Sequence, residues 1–234
     1  MAWDFAAQIH SLSGFDADGT GTSDVGGETF VTLAAQWLTD SAKEIIDLMP
    51  PHLTERCAKT SAASANFTNG TGITTENKVV SVIRTRNTEG TPQFDNPGDV
   101  FVCRQIPHTL SYKALDPNSI EYATETDPVF YYEPQTDGTA VLLKVLPSSG
   151  AAITKATTID YPAVDEADTL IANFPDELEY LVPLRASIYA AEYQAVIEED
   201  PELYLPIIQN LKQDYQQALQ SSGLVQAQPQ QAGR

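Results

Sequence analysis

The sequence predicts an α+β fold, a helical bundle drawn from both termini with a central antiparallel β-sandwich-like or barrel-like block. Three observations predict it. Apolar residues recur at three- and four-residue spacing near both ends; between them the period falls to two, with Val, Ile, Tyr and Thr enriched; and turn-forming clusters punctuate that middle stretch. At 234 residues and 42% hydrophobic, the chain is long enough to enclose a core. The spans read as an N-terminal helical part over 1–66, a β-rich block over 67–164, a C-terminal helical part over 165–220 and a partner-docking tail over 221–234.

A short helix is expected over 3–12, followed by a Gly-, Asp- and Thr-rich loop over 14–27. Over 29–49, Phe30, Leu33, Ala34, Trp37, Ser41, Ile45 and Leu48 fall on one helical face, and Pro50-Pro51 ends the helix. Seven strands are expected over 78–86, 100–106, 109–115, 119–124, 129–133, 140–146 and 153–159. Beyond Tyr161-Pro162 the pattern is helical again. Pro175 suits a first helical position, with Asp176, Glu177 and Glu179 favoured in the first turn. Leu178, Leu181, Ile188, Ala191, Ala195 and Val196 make its apolar stripe, and Pro183 predicts a kink or the effective start of the helix. Asp200-Pro201 opens a last helix carrying Tyr204, Ile207, Ile208, Leu211, Tyr215 and Leu219, with a bend expected at Pro206.

Thirteen Lys and Arg against 32 Asp and Glu give a formal charge of −19. The imbalance is concentrated, since residues 1–50 hold one basic and eight acidic residues and residues 151–200 hold two and eleven. A basic nucleic-acid groove is therefore excluded, because gripping phosphates takes clustered Lys and Arg. The chain opens on Met1-Ala2-Trp3-Asp4, and its longest apolar run, 140–146, is interrupted by Lys144. The expectation is a protein without a signal peptide or membrane span. Cys57 and Cys103 have no CxxC spacing and read as buried, inert thiols.

Four patterns invite a chemical reading. Asp16-Ala17-Asp18-Gly19-Thr20 has the DxDGT form of haloacid-dehalogenase-type phosphatases, in which one Asp attacks phosphorus and the second serves as acid and base. That chemistry needs the first Asp at the end of a buried strand, and His10-Ser11-Leu12-Ser13-Gly14 is too polar to be one. The same stretch imitates a calcium loop through Asp16, Asp18, Thr20, Gly21 and Asp24, but Gly27 stands where a bidentate Glu is needed and Glu28 comes one residue late. His10, His52 and His108 are scattered, and no GxSxG, P-loop or GxGxxG occurs. Glu198-Glu199-Asp200 reads as a solvated helix end. No catalytic residue, metal or cofactor is assigned. The Gln-rich tail cannot bury enough apolar surface to order itself. A partner chain docking Gly223, Leu224, Val225 and Gln226, with Arg234 at the end, would hold it.

The run Phe174-Pro175-Asp176-Glu177-Leu178-Glu179-Tyr180-Leu181-Val182-Pro183-Leu184-Arg185-Ala186-Ser187-Ile188-Tyr189-Ala190-Ala191 resembles a helix of head-to-tail adaptor (connector or neck) proteins of tailed bacteriophages, where it follows a β-rich insert. An N-terminal helix like 34–46, then 78–86, 119–124 and Asp127-Pro128-Val129-Phe130-Tyr131-Tyr132, extend the resemblance over most of the chain in order. The resemblance implies a non-enzymatic virion protein made in the host cytoplasm and placed in the neck. It implies a homo-oligomeric, twelvefold ring between the portal and the next neck or tail protein. The C-terminal segment would reach into the portal, and double-stranded DNA would pass through the lumen without specific binding. Net −19 suits a channel that must not hold the duplex. The 14–27 loop, Pro183 and Pro206 depart from the pattern and leave the layer within the neck open. Alternatives are a stopper, terminator or tail tubular ring protein, a soluble hydrolase using Asp16 and Asp18, or a β-sandwich binding module.

Overall fold

A computed structural model describes residues 4–15, 30–64, 72–75, 78–85, 100–134, 141–148, 152–197 and 201–224. The fold is α+β. The chain forms two compact units, one built from Met1–Cys57 with Tyr161–Arg234, the other from Ala58–Asp160.

In the helical unit, α1 (Phe5–Ser13) starts at Asp4, whose side chain accepts from the Ala7 N–H, and stops at Gly14 in the left-handed conformation. Its first free amides, those of Phe5 and Ala6, donate to the carbonyls of Asp168 and Glu166. Helix α2 spans Phe30–Leu48. Its buried face runs through Ala34, Leu38, Ser41, Ala42, Ile45 and Ile46; Ala34, Ser41 and Ile45 of the expected stripe lie in it, and Leu48 is exposed. Pro50-Pro51 ends α2 as expected, and Pro51 then opens a single turn, α3 (Pro51–Thr54), where its missing N–H costs nothing.

Helix α4 (Leu181–Ile197) begins later than Pro175 predicts, because residues 176–178 form only a 3-10 turn. Pro183 thus falls in the first turn of α4, where no donor is needed. Val182, Ala186, Ile188, Ala190 and Ala191 are buried on several sides of α4, since α1, α2 and α5 (Pro201–Ser221) all pack against it. Helix α5 turns Tyr204, Ile208, Leu211, Tyr215 and Leu219 inward and carries Pro206 within it.

In the β unit, the strands are β1 (Ala58–Thr60), β2 (Ile73–Thr75), β3 (Val79–Thr85), β4 (Val100–Val102), β5 (Arg104–Gln105), β6 (Val129–Pro134), β7 (Val141–Leu146) and β8 (Thr154–Ile159). They form two four-stranded sheets, β1-β8-β3-β4 and β2-β7-β6-β5, and neither closes into the barrel that was one expectation. Pairing is antiparallel except that β5 runs parallel to β6, with Arg104 opposite Val129. Val82 and Ala156 of the first sheet share a buried cluster with Phe130, Leu143 and Val145 of the second.

The strand expected over 100–106 is split at Cys103. The Cys103 N–H donates to Val82 O in one sheet and the Arg104 N–H to Pro128 O beside the other, so a single run serves both. The strands expected over 109–115 and 119–124 do not form. Residues 108–110 and 113–115 are 3-10 turns, and the backbone from Asp116 to Asp127 bonds locally to nearby carbonyls and side chains. Asp116 Oδ1 accepts from the Asn118 N–H, Ser119 Oγ from the Glu121 N–H and Thr124 Oγ1 from the Asp127 N–H. Those bonds replace the ladder a strand would need.

Candidate interaction surface

Among the described residues of the β unit, the connection from Ile106 to Pro128 is the least regular stretch. Its ends are tied side by side, Ile106 N–H to Phe130 O at 2.9 Å and Arg104 N–H to Pro128 O at 2.8 Å. The Ala123 N–H donates to Ala114 O at 2.9 Å, which folds the connection on itself. Its inner side chains, Ile106, Ala114 and Ala123, pack with Val129 and Leu146, and Leu110 and Tyr131 join them. Val129, Tyr131 and Leu146 project from the sheet face opposite Phe130, so the connection roofs that face. His108 lies against the Tyr131 ring at 5.8 Å. Burial first, then the Glu133 charge, raises the Tyr131 phenol above its ordinary value.

On its outer side, the same connection also leaves large apolar side chains open among its charged and polar ones. Ile120 is 97% exposed, Tyr112 65% and Leu115 58%, with Tyr122 beside them. Arg104 anchors this side by donating to Glu121 at 2.8 Å and Asp127 at 3.4 Å, so its charge is answered within the connection. The Glu121 hydrogen bond raises the Arg104 guanidinium above its ordinary value. Long ordered loops on a rigid sheet are a common place for binding residues, and large exposed apolar groups there are not needed for the core.

Large apolar side chains are also exposed at the end of α4 and at the start of α5. Val196 is 76% exposed and Leu203 57%, with Ile197 and Leu205 also open. Here Val196 departs from its expected place in the buried stripe. Elsewhere in the helical unit, a cleft of about 670 Å³ lies between α2 and residues 163–168. Its carboxylates are already engaged, since Asp168 accepts from the Asp165 N–H and Asp165 from the Glu166 N–H. Burial, then the hydrogen bond with Asp165, raises the Glu166 carboxyl above its ordinary value.

Of the predicted docking residues, Gly223 and Leu224 terminate α5. Gly223 has φ +75, its N–H donates to Gln220 O, and the Leu224 N–H reaches back to Leu219 O, a complete Schellman stop. Val225, Gln226, Arg234, Asp16, Asp18 and the other calcium-loop positions lie outside the described residues. The chain reaches that loop from α1 and the Gly14 stop. His10 lies on α1, His52 on α3 and His108 in the β unit, and among the described residues no group of His, Cys, Asp and Glu is placed to hold a metal. Cys57 and Cys103 are both free and buried, as expected, and burial pushes their thiols up to about 11 and about 12. No described helix is long and apolar enough to cross a membrane.

The sequence reading missed the 106–128 surface because Tyr112, Ile120 and Tyr122 are β-formers. The available signal was Asp116-Pro117-Asn118-Ser119, four turn-formers between them. No protein-family model matches the chain, and no curated protein matches it.

Proposed function

We propose that this chain is a structural virion protein, a head-to-tail adaptor that forms a ring between the portal and the tail and lines part of the DNA channel. The observation that carries the reading is the outer side of residues 106–128, where Tyr112, Leu115, Ile120 and Tyr122 stand exposed on a connection whose inner side is already packed. Such a surface suits contact with another protein chain. In this reading the two sheets act as a sandwich and the helices as a bundle, and the ring is twelvefold to match the portal. The uneven charge supports the DNA role. The helical unit holds 5 basic and 21 acidic residues, net −16, whereas the β unit holds 8 and 11, net −3. Acidic faces toward the lumen would repel the duplex. The resemblance of residues 174–191 to an adaptor helix supports the same reading, as that segment includes most of α4. A hydrolase is less well supported, because the approach to Asp16 is a helix where the phosphatase nucleophile needs a strand.

Quantitative mass spectrometry of purified particles of the encoding virus tests this. A copy number equal to the portal's is expected. Absence from the particle would overturn the reading, and Asp16→Asn would then become the substitution to try against phosphatase turnover.

A further inference from the structure

We propose that Arg84 and Thr154 form a buried binding site for a small monocarboxylate inside the β unit, independent of any contact with other chains. The two residues stand opposite each other on the adjacent antiparallel strands β3 and β8, so their side chains leave the sheet on the same face. That face is the inner one, since Val82 and Ala156, two residues along from each, belong to the buried cluster that both sheets share. On the other side of Arg84, Phe101 of β4 is its cross-strand neighbour. Arg84 and Thr154 are both fully buried.

Their polar atoms are only partly answered. Arg84 Nη2 donates to Pro147 O at 3.1 Å, while Arg84 Nε, Arg84 Nη1 and Thr154 Oγ1 have no hydrogen-bond partner among the described residues. Folded proteins leave few buried polar groups in this condition, and a buried cation is costly unless an anion meets it. Glu125 bears on Arg84 through its charge, but none of these hydrogen bonds goes to it. The shape of the guanidinium says what would answer it. One Nη2 hydrogen lies beside the Nε hydrogen and the other beside Nη1, which makes two forks of two donors each. Pro147 O engages one Nη2 hydrogen. Whichever that is, the opposite fork stays whole, and a whole fork matches the two oxygens of a carboxylate. The Thr154 hydroxyl can donate a third hydrogen bond to one of those oxygens. One positive charge and three donors suit a monoanion, whereas phosphate brings more charge and more oxygens than they can answer. The apolar neighbours Val82, Phe101 and Ala156 would keep water from competing. Because the site is closed, its ligand is of the size of formate or acetate.

Thermal unfolding of the full chain in sodium formate and in sodium acetate, against sodium chloride at equal ionic strength and pH, tests the site. The parent's Tm should climb with carboxylate concentration beyond its climb in chloride, as a ligand bound only by the folded chain requires. Arg84→Met keeps the reach of the side chain and loses every donor, so the excess should vanish while any general salt effect remains. Thr154→Val should raise the carboxylate concentration needed for a given excess about tenfold, the loss of one hydrogen bond to a charged group. Circular dichroism should show both variants folded. No excess in the parent, or an equal excess in Arg84→Met, overturns the site. So does a Thr154→Val response equal to the parent's. A larger excess in sodium phosphate than in acetate overturns the carboxylate assignment.

Discussion

Three residues show how much depends on where a side chain sits. Gly72 and Gly223 both adopt positive φ, +76 and +75, but a Cβ at Gly223 would meet nothing, while one at Gly72 would lie 3.0 Å from Lys144 Cγ and 3.2 Å from Leu143 O. Gly223→Ala should therefore cost about 1 kcal/mol from conformation alone, and Gly72→Ala about 2–3 kcal/mol once crowding is added; denaturant midpoints of the two variants check the order. Arg84 is the other sensitive position. It is fully buried on the core face of β3, and one nitrogen donates to Pro147 O at 3.1 Å. Nε and Nη1 have no hydrogen-bond partner among the described residues, nor has Oγ1 of its cross-strand neighbour Thr154. Burial lowers its pKa. Replacing a poorly answered buried charge with an apolar chain of similar reach is neutral or favourable by about 1–4 kcal/mol. Arg84→Met should accordingly fold at least as stably as the parent, whereas Arg84→Ala, which leaves a void, should not. The thiols bear on pH. Cys57 and Cys103 are raised from 9.0 to about 11 and about 12, so the folded chain holds these protons more tightly than the unfolded one. Their contribution is whole below the unfolded value and is lost as pH rises through that window. Neither should react with a thiol reagent near pH 8 until denaturant is added.

Among the elements, the long periodic helices were readable because a 3.6-residue stripe over many turns has few rivals. The inward set of α5 is Tyr204, Ile208, Leu211, Tyr215 and Leu219, the expected one apart from Ile207, which is only partly buried. Strands β3, β6, β7 and β8 were readable as alternating β-branched runs. Strands β1 and β2 were not, since Ala-Lys-Thr and Ile-Thr-Thr carry no pattern of their own and exist through pairing with β8 and β7. Nor was the exposed connection readable, because Ile120 and Tyr122 have strand propensity that the Asp116 and Ser119 side-chain bonds override. The predicted docking residues met a similar limit, as Gly223 reads equally as a helix stop. Within α5, exposed Pro206 denies the Glu202 carbonyl its donor four residues on. Pro206→Ala should stabilise the chain by about 1–2 kcal/mol, the helical gain exceeding the added freedom of the unfolded chain. Calorimetry would show it as a higher Tm. Half-buried Glu44, Arg185 and Tyr189 tie α2 to α4, with Arg185 Nε donating to Glu44 Oε2 at 2.9 Å and the guanidinium 4.5 Å from the Tyr189 ring.

At the scale of the whole molecule, net −19 makes self-association a contest between apolar contact and like-charge repulsion. Salt screens the long-range part first, since the Debye length falls from about 30 Å at 0.01 M to about 8 Å at 0.15 M. Association should therefore tighten with added salt over that range, which sedimentation can follow; weakening would mean that ion pairs, not apolar surfaces, hold the copies together. The helical unit is made of two separated stretches of chain, and Ala58 stands opposite Ile159 where the intervening unit begins and ends. That arrangement imposes an order on biosynthesis. A ribosome releases α1 and α2 first, then must make all of Ala58–Asp160 before α4, the helix they pack against, exists. At about 5–20 residues per second, those roughly 100 residues impose a wait of roughly 5–20 s. Through that interval the faces of α1 and α2 that α4 covers have no partner, whereas the β unit has every residue it needs as soon as the interval ends. The nascent chain is thus most exposed to chaperones and to aggregation while its middle is being made.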